Sequence, residues 1–204
     1  EDSVDPDKFL TVDKIYLKGF GFSFLRNDGS LITFGDPYDN GVVTSSSVSS
    51  QLTSGVKEIY STLYSASAVL KNDGSVVTWG EAGGDSSSVS TQLTSDVKEI
   101  FSTDDAFAAL KEDGSVVTWG RSNSGGDSSS VSSQLTSGVK DIFSTRHAFA
   151  ALKEDGSVIT WGLGPNGGDG TLFTQFGQKL GDVNNQLTSD VKRIFSTRYA
   201  FAAI

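Results

Sequence analysis

The sequence predicts an all-β chain: a β-propeller of short three-stranded antiparallel blades, four complete and a fifth partial. Three observations carry that expectation. A twelve-residue pattern recurs four times, as Ala109–Gly120, Val69–Gly80 and Ala151–Gly162, with a weaker copy at Phe24–Gly35. Its Asp-Gly pairs begin at Asp28, Asp73, Asp113 and Asp155, so the spacings are 45, 40 and 42, the period of an array of supersecondary units. The apolar runs around each Asp-Gly are short, as strands are. They are also apolar on both faces, which requires cover on both sides of each small sheet. Small sheets stacked face to face about an axis meet that requirement.

The units run at about 12–55, 56–96, 97–138, 139–189 and 190–204, the last partial, after an N-terminal extension at 1–11. In the third, Val97–Thr103, Ala106–Lys111 and Ser115–Trp119 read as successive strands. Asp113-Gly114 between apolar runs is a strong hairpin signal and predicts a type I′ turn with positive φ at both central residues. The alanines of the second strand suggest a position crowded against the axis. Trp79, Trp119 and Trp161 end the third strands, with Phe34 in that place in the first unit. Each would bury on the order of 200 Å² between blades. The Ser-rich linkers recur with Val and Leu four apart, Val89/Leu93 and Val131/Leu135. Asp85 and Asp127 are expected to N-cap a short helical turn there, pinned to the blade edge by those apolar pairs. Val191–Ile204 supplies the first two strands of a fifth unit without a third. An apolar edge left open is a hazard, so the expectation is that the protein continues, or that Lys8-Phe9-Leu10-Thr11 closes the ring.

Composition narrows the function classes. A net charge of −9 argues against a phosphate-backbone partner. No Cys is present, which removes disulfides and thiolate metal sites, and no Met is present, so the sequence does not open at a translation start. No apolar run reaches the ~18 residues of a membrane-spanning helix. Asp36-Pro37-Tyr38-Asp39-Asn40 offers too few oxygens for calcium and reads as a turn. The Gly-Gly-Asp stretches at 83–85, 125–127 and 167–169 precede no Lys-Ser/Thr and read as turns and caps. His147 is the single His, and no Gly-x-Ser-x-Gly occurs. Asp104 and Asp105 are chain neighbours whose side chains should diverge. No enzyme, no cofactor and no metal is expected.

The shared pattern, a Val-x-x-Ile strand followed by Ala-Leu-Lys-x-Asp-Gly-x-Val-x-x-Trp-Gly, resembles the repeats of the regulator-of-chromosome-condensation family. In repeat length it is closest to propellers of the β-lactamase inhibitor protein II type. The resemblance covers nearly all of 12–204 and implies a propeller that is usually seven-bladed. One step departs from it. The family commonly has Gly-x-x-His between strands one and two, whereas this chain has Ser61-Thr62-Leu63-Tyr64, Ser102-Thr103-Asp104-Asp105, Ser144-Thr145-Arg146-His147 and Ser196-Thr197-Arg198-Tyr199. The functions implied span nucleotide exchange on a small GTPase, enzyme inhibition and scaffolding, so likeness of fold does not choose among them.

Comparing units within the chain singles out two places. The dipeptide after Ser-Thr is Leu63-Tyr64, Asp104-Asp105, Arg146-His147 and Arg198-Tyr199. It changes in size, charge and aromaticity while its neighbours hardly change. The strand order puts every copy on one rim, opposite the Asp-Gly turns. These residues are either partner anchors or freely drifting exposed turns. The second place is the fourth linker: Gly120 to Gln134 spans 14 positions but Gly162 to Gln186 spans 24. The extra segment carries Leu172, Phe173 and Phe176 and is either a docking loop or a flap packed on its blade. The leading expectation is a non-enzymatic protein–protein interaction module, a scaffold, inhibitor-like binder or peripheral subunit of a larger assembly. The alternatives are a secreted or surface repeat protein binding carbohydrate or matrix, and a guanine-nucleotide exchange factor.

Overall fold

The computed structural model describes residues 11–18, 21–35, 45–63, 66–81, 83–166, 168, 171–173, 179–182 and 187–204. It shows an array of antiparallel β-blades. The first blade is β1 (Val12–Lys18), β2 (Gly21–Arg26) and β3 (Leu31–Gly35); the second is β4 (Val56–Ser61), β5 (Ala66–Lys71) and β6 (Val76–Gly80). The third is β7 (Val97–Ser102), β8 (Ala106–Lys111) and β9 (Val116–Gly120); the fourth is β10 (Val139–Ser144), β11 (Ala148–Lys153) and β12 (Val158–Gly162). A two-stranded hairpin, β13 (Thr171–Phe173) with β14 (Lys179–Asp182), interrupts the fourth linker. The fifth unit is the pair β15 (Ile194–Ser196) and β16 (Phe201–Ala203). Register repeats from blade to blade: Ile59 pairs with Val69 and Val69 with Val77, Ile100 with Ala109 and Ala109 with Val117, and Ile142 with Ala151 and Ala151 with Ile159.

The cores lie between blades rather than within them. Ala106, Ala108 and Leu110 pack forward onto Val139, Ile142, Phe149, Ala151 and Trp161 of the fourth blade. Phe107 and Ala109, from the other face of the same strand, pack back onto Ala66, Ala68 and Leu70. This explains why strand two is apolar at every position: alternate side chains serve two different interfaces. It also corrects the placement of the alanines. The first strands of successive blades, β4, β7, β10 and β15, contact one another and so form the hub. The alanine strand is the middle of each sheet, kept small because a blade presses on each of its faces. Trp119 stacks on Phe107 with centroids 5.3 Å apart, and Trp161 stacks on Phe149 at the same distance. Phe22 and Phe34 repeat this pairing in the first blade, also at 5.3 Å. At about 25 cal/mol/Å², each buried Trp contributes up to ~5 kcal/mol of apolar burial.

The hairpin turns differ from the type I′ expectation. In the Asp-Gly pairs only glycine has positive φ, at 75° for Gly29, 77° for Gly74, 75° for Gly114 and 79° for Gly156. Lys71 O accepts from Gly74 N at 3.0 Å, and Lys71 N donates to Ser75 O. That is a type I turn followed by a left-handed glycine, the three-residue hairpin. Aspartate is selected for its carboxylate: Asp73 Oδ1 accepts from the backbone N and the Oγ of Ser75, as Asp113 and Asp155 do from Ser115 and Ser157. Glycine is selected for a second reason. A Cβ at Gly114 would lie 2.7 Å from Gly138 N, where the next blade begins. Val139 N donates to Gly114 O there, as Val97 N does to Gly74 O and Val191 N to Gly156 O.

The Ser-rich linkers form 3-10 helices at Ser45–Gln51, Ser87–Gln92 and Ser129–Gln134. Each covers the outer strand of the following blade, β6, β9 and β12 respectively. Val89 and buried Leu93 join one interblade core, and Val131 and Leu135 the next. The capping position belongs to Ser86 and Ser128, neither of which makes a side-chain cap. Asp85 and Asp127 sit one residue earlier and accept from Ser87 N and Ser129 N at 2.9 Å, because the tighter 3-10 turn moves the first free N–H toward them. Lys71, Lys111 and Lys153 close the far ends by donating to Gln51 O, Gln92 O and Gln134 O. Of the alternative closing strand, residues 8–10 lie outside the described residues.

Candidate rim site

The turn after Ser-Thr is built by the threonine. Thr103 Oγ1 accepts from Ala106 N at 3.0 Å and donates to Ser124 O at 2.9 Å; Thr145 makes the latter bond to Asn166 O. The hydroxyl therefore sets the turn and ties it to the loop that follows the third strand, which explains why Ser-Thr recurs.

The variable positions that follow are joined across blades. Leu63 N donates to Asp104 O at 3.1 Å, Asp104 N to Arg146 O at 2.9 Å, and Arg146 N to Arg198 O at 2.9 Å. One backbone ladder thus runs through the same turn position in four consecutive units. The second blade reaches that register with an extra residue: Thr62 is four positions before Ala66, whereas Thr103 is three before Ala106. Leu63-Tyr64 is therefore not equivalent to the other dipeptides, since Ser65 stands between it and Ala66 where the other units pass directly to alanine.

The side chains divide by depth. Leu63 and Arg198 are exposed, Tyr199 is 51% exposed, and the Arg198 guanidinium lies 5.5 Å from the Tyr199 ring centroid. Asp104 and Arg146 are half-buried and form a 2.7 Å ion pair between neighbouring blades. Asp105 departs from the exposed-turn expectation, being only 3% exposed. Its Oδ2 accepts from Ser124 Oγ at 3.4 Å, Ser124 Oγ lies 3.2 Å from His147 Nδ1, and Arg121 Nε is 3.9 Å from Oδ1. A carboxylate only accepts, so the consistent order is His147 Nδ1–H to Ser124 Oγ and Ser124 O–H to Asp105. His147 is half-buried and spans two blades instead of standing on an open turn. The serine occupies the middle of this chain and is itself buried, which is the wrong order and depth for an activated nucleophile. Asp104 and Asp105 do diverge, toward different partners. Ser124, Arg121 and Asn166 were not legible as site residues; they follow the third strand and meet the turn only in the folded chain.

Tyr64 and Phe176 lie outside the described residues, as does the Asp36–Gly41 loop. Leu172 and Phe173 lie on strand β13 of the inserted hairpin, whose backbone contacts the 3-10 turn at Gly164–Asn166. Among the described residues, no three His, Cys, Asp or Glu side chains converge as metal ligands, and no helix is long and apolar enough to cross a membrane.

No protein-family model matches the chain, and no characterised protein matches it in sequence. Solved structures match its fold. Yeast RCC1 (Prp20), solved with Kap60 bound to it, aligns with a TM-score of 0.54 at 16% identity over 87% of this chain and 50% of its own. Prp20p from Saccharomyces cerevisiae, in a structure reported with its binding properties toward Gsp1p and histones, aligns at 0.53 and 16% identity over 83% and 48%. The fold is an RCC1-like repeat propeller. Human WBSCR16 also matches, at a TM-score of 0.46 and 20% identity over 79% of this chain and 50% of that one. The chain spans about half the length of the structures it matches.

Proposed function

We propose that this RCC1-like segment is a protein-binding module that engages its partner through the rim of Ser-Thr turns, as a scaffold or peripheral subunit. One observation carries this reading. The interblade ladder ties the backbone of the turn together across four units, while the side chain presented there changes from Leu63 to Asp104, Arg146 and Arg198. A constant frame with a varied set of side chains suits recognition of an irregular protein surface. The exposed members, Leu63, Arg198 and Tyr199, include the Tyr and Arg types that anchor interfaces. Prp20p, of like fold, is described with protein partners, which supports a protein rather than a glycan or nucleic acid. The inserted hairpin bearing Leu172 and Phe173 extends the same reading.

The test is a triple variant, Leu63→Ala, Arg198→Ala and Tyr199→Ala, compared with Asn72→Ala, Glu112→Ala and Glu154→Ala on the Asp-Gly rim. A partner is first recovered by affinity capture with the wild-type chain and then purified. Both triple variants should melt with the wild-type chain. Only the first should lose affinity for the purified partner. Equal affinity in the two variants rejects the rim, and binding on a glycan array with no protein partner rejects the class.

A further inference from the structure

The third blade is packed between the second and the fourth, and its outer strand forms the floor of a cavity of about 440 Å³. Val89 and Gln92 of the preceding Ser-rich linker make one side. Ser128, Ser132, Leu135 and Thr136 of the following linker make the other, and β9 from Ser115 to Thr118 lies beneath. Lys111 and Asp113 are the charged side chains on its wall, one of each sign.

β9 is bonded to β8 along one edge only. Lys111 N donates to Ser115 O, and the alternation of an antiparallel ladder then turns the N–H and C=O of Val116 and Thr118 away from β8. Val116 N donates to Leu135 O at 2.9 Å. Among the described residues nothing pairs with Val116 O, Thr118 N or Thr118 O, although Thr118 is only 8% exposed. Buried backbone groups are nearly always paired, so these three call for a partner. The hydroxyls around them spend their hydrogens within the protein. Thr118 Oγ1 donates to Gly126 O at 3.1 Å, Ser132 Oγ to Ser129 O at 2.9 Å and Thr136 Oγ1 to Ser133 O at 3.3 Å. Each keeps lone pairs free to accept. Lys111 Nζ is drawn off to Gln92 O at 3.1 Å. The floor and hydroxyls therefore offer several acceptors against one backbone donor, Thr118 N–H.

We propose that this cavity binds a primary carboxamide, the group carried by glutamine and asparagine. Its carbonyl accepts from Thr118 N–H, and one of its N–H groups donates to Thr118 C=O. The second N–H donates to Val116 C=O or to a wall hydroxyl. Two donors and one acceptor are the inventory of that group. A carboxylate brings no donor, a guanidinium brings no acceptor, and a main-chain amide brings a single donor. Opposite charges on the wall suit a neutral ligand, and Val89 and Leu135 cover its apolar stem.

The experiment is a titration of the isotope-labelled 204-residue chain, read at the backbone N–H signal of Thr118. The probes are acetyl-glutamine-methylamide, free glutamine, acetyl-glutamate-methylamide and acetyl-alanine-methylamide. At least one glutamine probe should shift the signal saturably. The capped form alone indicates a side chain of a partner protein, free glutamine alone indicates a small metabolite, and either upholds the site. The glutamate and alanine probes should bind about tenfold more weakly or not at all. Ser132→Phe fills the cavity from an exposed position and should abolish the shift, with near-ultraviolet circular dichroism unchanged. Thr136→Tyr repeats the design if that variant misfolds. No saturable shift with either glutamine probe leaves the edge to water and overturns the proposal. An equal response to the alanine probe would mean that main-chain amides are read, and an equal response to the glutamate probe that donors are irrelevant; each overturns it. So does a shift that survives in the filled variant.

Discussion

Replacing Gly114 by alanine tests whether the blades are held by close backbone approach at the Asp-Gly turns. Gly114 has a φ of 75°, and its added Cβ would stand 2.7 Å from Gly138 N and 3.1 Å from Val139 N. The left-handed conformation costs alanine about 1–2 kcal/mol. The contact is with backbone, so relief requires the turn to retreat and to lose the 3.0 Å bond from Val139 N to Gly114 O, about 1 kcal/mol more. Reduced freedom of the unfolded chain returns ~0.4–1 kcal/mol, leaving a net loss of about 1–2.5 kcal/mol. Gly138→Ala separates the two causes. Its φ is 73°, but its Cβ would meet only Lys153 Cε at 3.6 Å, so it should lose ~1 kcal/mol or less. The chain already contains the natural control, because Asp96 and Asp190 hold the equivalent position at φ of 64° and 63°. Urea unfolding followed by tryptophan fluorescence reads both variants. Equal losses, or a loss below ~1 kcal/mol for Gly114→Ala, would refute the close-approach account.

Further outcomes follow from the same contacts. Trp161 Nε1 donates to Gly125 O at 3.0 Å, whereas the buried Trp119 Nε1 has no partner among the described residues; Trp161→Phe should cost about 1 kcal/mol more than Trp119→Phe in urea unfolding. A double-mutant cycle with Asp104→Ala and Arg146→Ala should give a coupling of about 1 kcal/mol that shrinks in high salt. The carboxyls of Asp73, Asp113 and Asp155 are held below the ordinary aspartate value, first by the hydroxyl of the following serine and then by its backbone N–H. A lowered folded value means stability that is complete above about pH 4 and lost as pH falls below it. Ser75→Ala, Ser115→Ala and Ser157→Ala together should therefore flatten the fall of the urea midpoint between neutral and acid pH.

Strand order, hairpin positions and the interblade tryptophans were legible because each is local or periodic: Val-Val-Thr-Trp-Gly reads as a strand wherever it stands. The type of turn was not, since Asp-Gly serves both a type I′ turn and a type I turn with a left-handed glycine. What decides between them is the blade that abuts Gly114 from Gly138. The position of the alanine strand failed for a related reason. Small residues signal crowding, but not whether an axis or two neighbouring sheets cause it. At the rim, sequence variation located the turn without showing its depth. Asp105 and Asp104 are adjacent and alike in type, yet one is buried against Ser124 and the other pairs with Arg146. That difference comes from a loop following the third strand, which no pattern within the turn encodes.

The ladder also restricts how this rim can be read by a partner. The backbone N–H groups of Leu63, Asp104 and Arg146 donate to the next unit, and the carbonyls of Asp104, Arg146 and Arg198 accept from the preceding one. An incoming strand therefore finds no donors and acceptors at these bonds to pair with, and recognition there has to run through side chains. The same bonds keep each turn in place when its side chain is exchanged, because the interactions that fix it belong to backbone and to the threonine hydroxyl. Substitutions at Leu63 or Arg198 should consequently change what is bound with little change in the fold. Substitution at Thr103 or Thr145, whose hydroxyls hold the turn to Ser124 O and Asn166 O, should disturb the fold itself.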